Sequence, residues 1–203
     1  QYSSNRNVNI TATVWNTGPT ASAVLAVQVE DANGYPAITF DDRQLSLPYA
    51  ASSAQAYAWN TGSTFAGPYQ VHAVLKDLSG TTLAEQTAPF AIVSDAADDL
   101  SVSTDRLAYG PQQNVVTSFS IRNTGMNAII PALQATVSIT DAAGTVLFRE
   151  GKSATNILPG ASIDLSSLWN TGLIAPGRYT ATVQTSFDGG QTLTRSAPFT
   201  IQR

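Results

Sequence analysis

Residues 8–18 read Val-Asn-Ile-Thr-Ala-Thr-Val-Trp-Asn-Thr-Gly, and residues 115–125 read Val-Val-Thr-Ser-Phe-Ser-Ile-Arg-Asn-Thr-Gly. The first stretch alternates apolar and polar residues and ends at a turn signal, which is typical of a half-buried β-strand. The second stretch keeps the same parity and the same Asn-Thr-Gly ending. Two matching strands about 110 residues apart indicate a repeated module.

Other landmarks recur at nearly the same offset. Asn-Thr-Gly occurs four times, beginning at Asn16, Asn60, Asn123 and Asn170. Further pairs are Tyr2 and Tyr109, Leu47 and Leu158, Tyr69 and Tyr179, and Ala88 and Ala197. A tandem duplication explains this pattern, and it predicts two domains, residues 1–95 and residues 96–203. Because a dedicated active site would appear only once, repeated landmarks favour a scaffold or spacer.

The two repeats differ at their starts. An alternating segment, residues 100–108, precedes Tyr109, whereas only Gln1 precedes the matching Tyr2. We therefore expect the first domain to have a truncated first strand and the chain to be a segment of a longer array.

Turn residues divide each repeat into about seven short runs with strand-like alternation. This spacing predicts an all-β chain of two tandem immunoglobulin-like antiparallel β-sandwiches, about seven strands each. The junction, Asp-Ala-Ala-Asp-Asp at residues 95–99, contains no Gly or Pro, so we expect the two sandwiches to lie end to end. In the run that ends at Trp169, strand alternation places Ile163 and Leu168 on opposite faces although both are apolar. A β-bulge between them would resolve this conflict.

Composition excludes several classes of partner. Only 12% of residues are charged, the formal net charge is −4, and the ten Lys and Arg residues are scattered. Nucleic acid is therefore not expected as a partner, since phosphate binding needs clustered basic residues. Cysteine is absent, so disulfides and thiolate metal sites are excluded. No apolar run reaches the length of a membrane span, and we expect no membrane insertion in this segment.

His72 is the only histidine. One histidine, no cysteine and no matched pair of acidic residues leave neither a Ser-His-Asp triad nor a zinc site to build, so the chain is not expected to be an enzyme. We interpret His72 as a solvent-facing residue without a role.

Three tryptophans fall into two groups. Trp59 and Trp169 occupy equivalent positions near a tyrosine, which favours core packing over carbohydrate stacking. Trp15 is out of phase with the apolar residues of its strand, and Arg122 stands at the matching position. Trp15 is therefore the candidate binding residue, although an exposed tryptophan without a role explains it equally well.

Asp95, Asp98 and Asp99 lie at the junction, with Asp105 nearby. Calcium is bound by six to eight oxygen ligands, mostly carboxylates and carbonyls, so these residues are candidate ligands for a calcium ion between the two modules. A solvated acidic linker is the alternative, and no other cofactor is expected.

The order of these motifs resembles the cell-adhesion-related domains found in bacteria, immunoglobulin-like modules of surface proteins. The residues that carry the resemblance are Asn123-Thr-Gly125, Leu158-Pro159-Gly160, Trp169 and Pro176-Gly177-Arg178-Tyr179, with matching residues in the first copy. Residues 109–115 also look like the opening of macroglobulin-type domains. The Leu-Pro-Gly, Trp and Pro-Gly-x-Tyr run is similar to a bacterial proteinase-inhibitor module.

The resemblance implies a non-catalytic structural or adhesive segment of a larger bacterial protein, at the cell surface or secreted, acting as a stalk or spacer. Its expected partners are neighbouring repeat modules of the same chain and a cell-surface protein or glycan. A binding module for carbohydrate or protein is the competing hypothesis, and a proteinase inhibitor is the third.

Overall fold

A computed structural model describes residues 1–187 and 191–203. These residues form fifteen β-strands and no helix, which confirms the all-β prediction. The chain divides into two compact units, Gln1–Asp95 and Ala96–Arg203. The strands of the first unit are β1 (Asn7–Trp15), β2 (Ala21–Asp31), β3 (Pro36–Thr39), β4 (Arg43–Leu47), β5 (Ser52–Asn60), β6 (Gly67–Asp77) and β7 (Thr82–Ile92). Those of the second are β8 (Asp98–Thr104), β9 (Ala108–Tyr109), β10 (Asn114–Asn123), β11 (Ile130–Asp141), β12 (Val146–Ile157), β13 (Ser162–Asn170), β14 (Gly177–Phe187) and β15 (Gln191–Ile201).

Each unit has two sheets. In the first unit β1 pairs with β5, and the other sheet has the order β3-β2-β6-β7 with β4 also beside β2. In the second unit the orders are β13-β10-β8 and β12-β11-β14-β15-β9. The pairs are antiparallel except for β9 with β15.

The registers of the two units match. Val8 lies opposite Trp59 as Val115 lies opposite Trp169, and the β2–β6 pairing repeats in β11–β14. Alternate residues of each strand face inward, and the core forms where the two sheets face each other. In the first unit that core includes Val8, Ile10, Ala23, Leu25, Val27, Val29, Tyr57 and Trp59. Burial of each large apolar side chain stabilises the unit by about 1.5–3 kcal/mol.

The predicted β-bulge between Ile163 and Leu168 is wrong. β10 and β13 keep one continuous register from Asn114↔Asn170 to Arg122↔Ser162. Leu168 instead lies on the outer face, 58% exposed. A single exposed leucine is ordinary on protein surfaces, and it preserves the ladder hydrogen bonds that a bulge would interrupt.

The asparagine of the first Asn-Thr-Gly copy in each unit bonds to backbone groups at the end of a strand. Asn123 is fully buried, and its Nδ2 donates to the carbonyls of Ala128 and Ile157 at 2.9 and 3.0 Å. Its Oδ1 accepts from the Gly125 N–H. Asn16 makes the matching bonds in the first unit. The amide therefore satisfies carbonyls that leave the sheet at the start of the next loop.

The second copy works through its threonine. Thr171 is 1% exposed, and its hydroxyl donates to Gly110 O and accepts from Gln113 N at 2.9 and 3.0 Å. Thr61 does the same with Ser3 O and Arg6 N. Gly62 and Gly172 follow with φ near +50°, the left-handed region that favours glycine. The threonine of this copy thus holds the backbone of the segment that precedes β1 or β10 by two hydrogen bonds.

The smaller sheet has two strands in the first unit and three in the second. β10 lies between β13 and β8, whereas β1 pairs with β5 alone among the described strands. One edge of β1 is therefore open.

Candidate functional site

The open edge of β1 borders a groove of about 540 Å³. It is lined by residues 10–15 of β1, by Val71, Ala73 and Leu75 of β6, and by residues 84–90 of β7. We call it the β1 groove. Most of its inward side chains are apolar, because they belong to the core face of the two sheets.

In the second unit β8 covers the matching surface. It pairs with β10 from Thr104↔Thr117 to Asp98↔Asn123. The residues beneath β8 are no more than 3% exposed. They are Phe119, Ile121, Ala181, Val183 and Thr185. Their counterparts in the first unit are partly exposed: Ala12, Val14, Val71, Ala73 and Leu75. The β1 groove therefore exposes residues whose counterparts β8 covers in the second unit.

Trp15 lies at the rim of the β1 groove and is 72% exposed. It follows Val14 and so lies on the outer face of β1. At the matching position Arg122 lies opposite Asp99 of β8. The indole is accessible to a partner, and its role in binding stays a prediction.

Trp59 and Trp169 belong to matched aromatic clusters. Trp59 is 8% exposed, and its ring centroid lies 6.4 Å from those of Tyr69 and Phe90. Trp169 repeats the arrangement with Tyr179 and Phe199, at 6.5 and 6.4 Å. These distances are typical of packed aromatic pairs. Both rings fill the same core position.

His72 lies on the outer face of its sheet, but it is only partly exposed, and both ring nitrogens have carboxylate partners that the sequence interpretation did not include. Its Nδ1 lies 2.7 Å from Glu30 Oε1 and its Nε2 lies 2.7 Å from Glu85 Oε1. Its side chain is only 20% exposed. The imidazole joins β2, β6 and β7 on the face of the sheet opposite the core.

Glu30 is the centre of this polar cluster. It is 7% exposed and accepts hydrogen bonds from His72, Gln70 and Gln28. These bonds, in that order of size, lower the pKa of Glu30. The hydrogen bond with Glu30 raises the pKa of His72, burial opposes the shift, and the bond with Glu85 adds to it. A protonated His72 between two carboxylates is the state that this geometry favours.

The predicted calcium ligands accept hydrogen bonds within their own units. Asp95 Oδ2 accepts from Ser4 Oγ, and Asp98 Oδ2 accepts from Thr185 Oγ1, both at 2.6 Å. Asp99 Oδ1 accepts from Leu100 N.

Asp105 has two donors. Its Oδ1 accepts from Tyr109 OH at 2.6 Å and from Val116 N at 2.9 Å. Across the described residues, no group of three or more His, Cys, Asp or Glu side chains could hold a metal ion. Calcium binding at these aspartates remains a prediction.

Sequence reasoning missed the partners of His72. Glu30 and Glu85 are 42 and 13 residues away along the chain, so no local pattern connects them. The alternating segment that precedes Tyr109 indicated β8, the strand that covers this face of the second unit.

The described part of the chain contains no apolar helix of membrane-spanning length. No protein-family model and no curated protein matches the sequence.

The solved structures that match the chain include these two. One is the crystal structure of a tetra-tandem repeat in the extending region of a large adhesion protein. It is 19% identical, with a TM-score of 0.50 over 98% of this chain, and the chain spans 46% of that protein's length. The other is red sea bream transglutaminase, 12% identical, with a TM-score of 0.41 over 100% of this chain and 30% of that one. The first likeness shows a shared all-β repeat fold, and the second is too weak to carry an argument.

Proposed function

We propose that this chain is a non-catalytic structural and adhesive repeat segment of a larger bacterial surface or secreted protein, and that it acts as a spacer. In this proposal the two units are immunoglobulin-like β-sandwiches in tandem, and their partners are neighbouring modules of the same parent protein. The observation that carries it is the duplication itself: both units keep the same pairings, the same buried threonine and the same aromatic cluster. What is conserved between the copies supports the fold rather than a reaction.

The similarity to a repeat in the extending region of a large adhesion protein supports the same role. Fold likeness alone is an associational argument for function, so the role needs a direct test.

Single-molecule pulling tests the spacer role. Two units that fold separately should unfold in two steps, each lengthening the chain by about 300 Å at roughly 3.4 Å per residue. A variant with Trp59→Ala in the first unit should lower only one of the two unfolding forces. A single step that releases the whole chain would contradict independent spacer modules.

A binding module for carbohydrate or protein is the second candidate, and the exposure of Trp15 favours it. An exposed indole is a common stacking surface for sugars and a frequent interface residue. Glycan arrays and pull-down from cell-surface extracts would separate the two functions. Saturable binding that Trp15→Ala abolishes, while Tyr49→Ala at another exposed aromatic leaves it intact, would favour the binding module over the spacer.

A further inference from the structure

We propose that Asn33 is a site of spontaneous deamidation: its side-chain amide becomes a carboxylate through a succinimide formed with the backbone nitrogen of Gly34. The β-linked product of this reaction loosens β3 from β2. The spacer role neither requires nor predicts the modification, so either can fail alone.

The reaction uses only the chain and water. The Gly34 nitrogen loses its proton and attacks the Asn33 Cγ, a C–N bond forms, and the side-chain nitrogen leaves as ammonia. Water then opens the succinimide ring at one of its two carbonyl carbons. Attack on Cγ restores the normal backbone with an aspartate. Attack on the backbone carbonyl carbon leaves Gly34 bonded to Cγ, and the product is an isoaspartate.

The turn between β2 and β3 brings the reactive pair to an exposed position. Asn33 is the only asparagine of the chain that glycine follows, and Asn-Gly is a favoured pair in hairpin turns. Gly34 has a φ of +82°, in the left-handed region that favours glycine. No heavy atom outside the neighbouring residues lies within 4 Å of the place where a Cβ of residue 34 would stand. The attacking nitrogen is therefore unhindered.

The hairpin binds Asn33 through its backbone and leaves the side chain exposed. Asp31 Oδ1 accepts from the N–H groups of Asn33 and Tyr35 at 2.8 and 2.9 Å. One bond opposes the reaction, because the Gly34 N–H donates to the Asp31 carbonyl at 3.1 Å and must be released before the nitrogen attacks. A single bond at an exposed loop tip opens readily. The folded hairpin therefore slows the reaction without preventing it.

The second unit has the same hairpin without the amide. Asp141 Oδ1 accepts from the N–H groups of Ala143 and Thr145 at 2.9 and 2.8 Å, and the Gly144 N–H donates to the Asp141 carbonyl at 3.0 Å. Ala143 stands at the position of Asn33. The amide is therefore not needed for the turn, and residue 33 can be exchanged in matched variants.

The two products affect the hairpin differently. Aspartate adds one negative charge to a chain with a formal net charge of −4 and keeps the backbone. Isoaspartate adds one main-chain carbon, so the Gly34 and Tyr35 N–H groups no longer stand opposite their acceptors on Asp31. β3 has four residues, and its register depends on this turn. It pairs with β2 through Gln28↔Thr39, Val29↔Ile38 and Glu30↔Pro36.

The first test follows the folded chain by mass spectrometry. The protein is kept for weeks in mildly alkaline buffer, which favours loss of the Gly34 proton. Tryptic peptides are then fragmented by a method that distinguishes aspartate from isoaspartate. We expect Asn33 to convert at least about tenfold faster than Asn60 and Asn170, which threonine follows, and we expect isoaspartate among the products.

Two variants and one condition serve as controls. Asn33→Gln keeps an amide but needs a larger ring, and it should convert at least about tenfold more slowly. Asn33→Ala copies the second unit and should show no conversion in this turn. In urea the Gly34 N–H is no longer bonded to Asp31, so Asn33 should convert faster than in the folded chain.

Three outcomes of this test would overturn the proposal. Conversion in urea with none in the folded chain would mean that the hairpin protects the site. Conversion of folded Asn33 no faster than that of Asn60 would remove its selectivity. Aspartate without isoaspartate would exclude the succinimide.

The second test measures the effect on β3. Hydrogen exchange compares the aged wild type with fresh Asn33→Asp, which carries the same charge on a normal backbone. We expect a fast-exchanging population of β3 amides in the aged protein, equal in size to the isoaspartate fraction, and native exchange in Asn33→Asp. Native exchange in both samples would overturn the loosening of β3, and fast exchange in both would assign it to charge instead of the β-linked backbone.

Discussion

The imidazole of His72 lies 2.7 Å from the carboxylate of Glu30, diagonally across the pairing of β6 with β2. The second unit has Thr182 at the position of His72, where its hydroxyl lies 2.9 Å from that of Ser196. An ionisable contact in one unit is thus replaced by a neutral contact in the other. The two units should respond differently to pH.

The stability of the first unit should be greatest between about pH 4.5 and 6.5. The pKa of His72 is raised, so its contribution is complete below the unfolded value near 6.5 and is lost as pH rises through the folded value. The pKa of Glu30 is lowered, so its contribution is complete above about 4.5 and is lost as pH falls through its folded value. Melting curves of the two units from pH 4 to 9 measure this difference.

His72→Thr copies the second unit and serves as the matched variant. We expect it to flatten the pH dependence of the first transition above about pH 6 without changing the second transition. An unchanged pH profile in this variant would show that the contact with Glu30 contributes nothing to stability.

Trp59→Ala should destabilise the first unit by about 3–5 kcal/mol, because a buried aromatic ring is replaced by a cavity. The ring contacts both Tyr69 and Phe90. Trp15→Ala removes the same side chain from a site that is 72% exposed, and it should change stability by no more than about 0.5 kcal/mol. Urea denaturation of the two variants provides the comparison. Equal losses of stability would contradict the assignment of Trp59 to the core and Trp15 to the surface.

Thr61→Val should destabilise the first unit by about 1–3 kcal/mol, because Ser3 O and Arg6 N lose a buried hydroxyl partner. Thr17 is the threonine of the other Asn-Thr-Gly copy in this unit, and it is exposed. Thr17→Val is therefore the matched control and should be neutral within about 0.5 kcal/mol. Similar losses of stability in both variants would mean that the buried hydrogen bonds of Thr61 contribute nothing beyond the turn that each Asn-Thr-Gly copy forms.

The fold was predictable from sequence where local pattern and duplication agree. Alternation and turn residues indicated the all-β chain, and the offset of Tyr69 from Tyr179 indicated matched modules. The two roles of Asn-Thr-Gly were not predictable, because Asn16 and Thr61 act through residues distant in sequence. The partners of His72 were missed for the same reason, since strand pairing alone brings Glu30 beside it. The error at Leu168 arose from treating an exposed apolar residue as a core residue.

Asp105→Asn distinguishes a hydrogen-bond acceptor from a calcium ligand. Burial would raise the pKa of Asp105, but the hydrogen bonds donated by the Tyr109 hydroxyl and the Val116 N–H outweigh it, and the pKa is lowered. The charged acceptor therefore stabilises the end of β8 against β10, and we expect its loss to destabilise the second unit by about 1.5–3 kcal/mol. The same loss should appear in chelator and in millimolar calcium, because the carboxylate acts through bonds within the protein. A stabilisation by calcium that the wild type shows and Asp105→Asn lacks would instead establish Asp105 as a metal ligand.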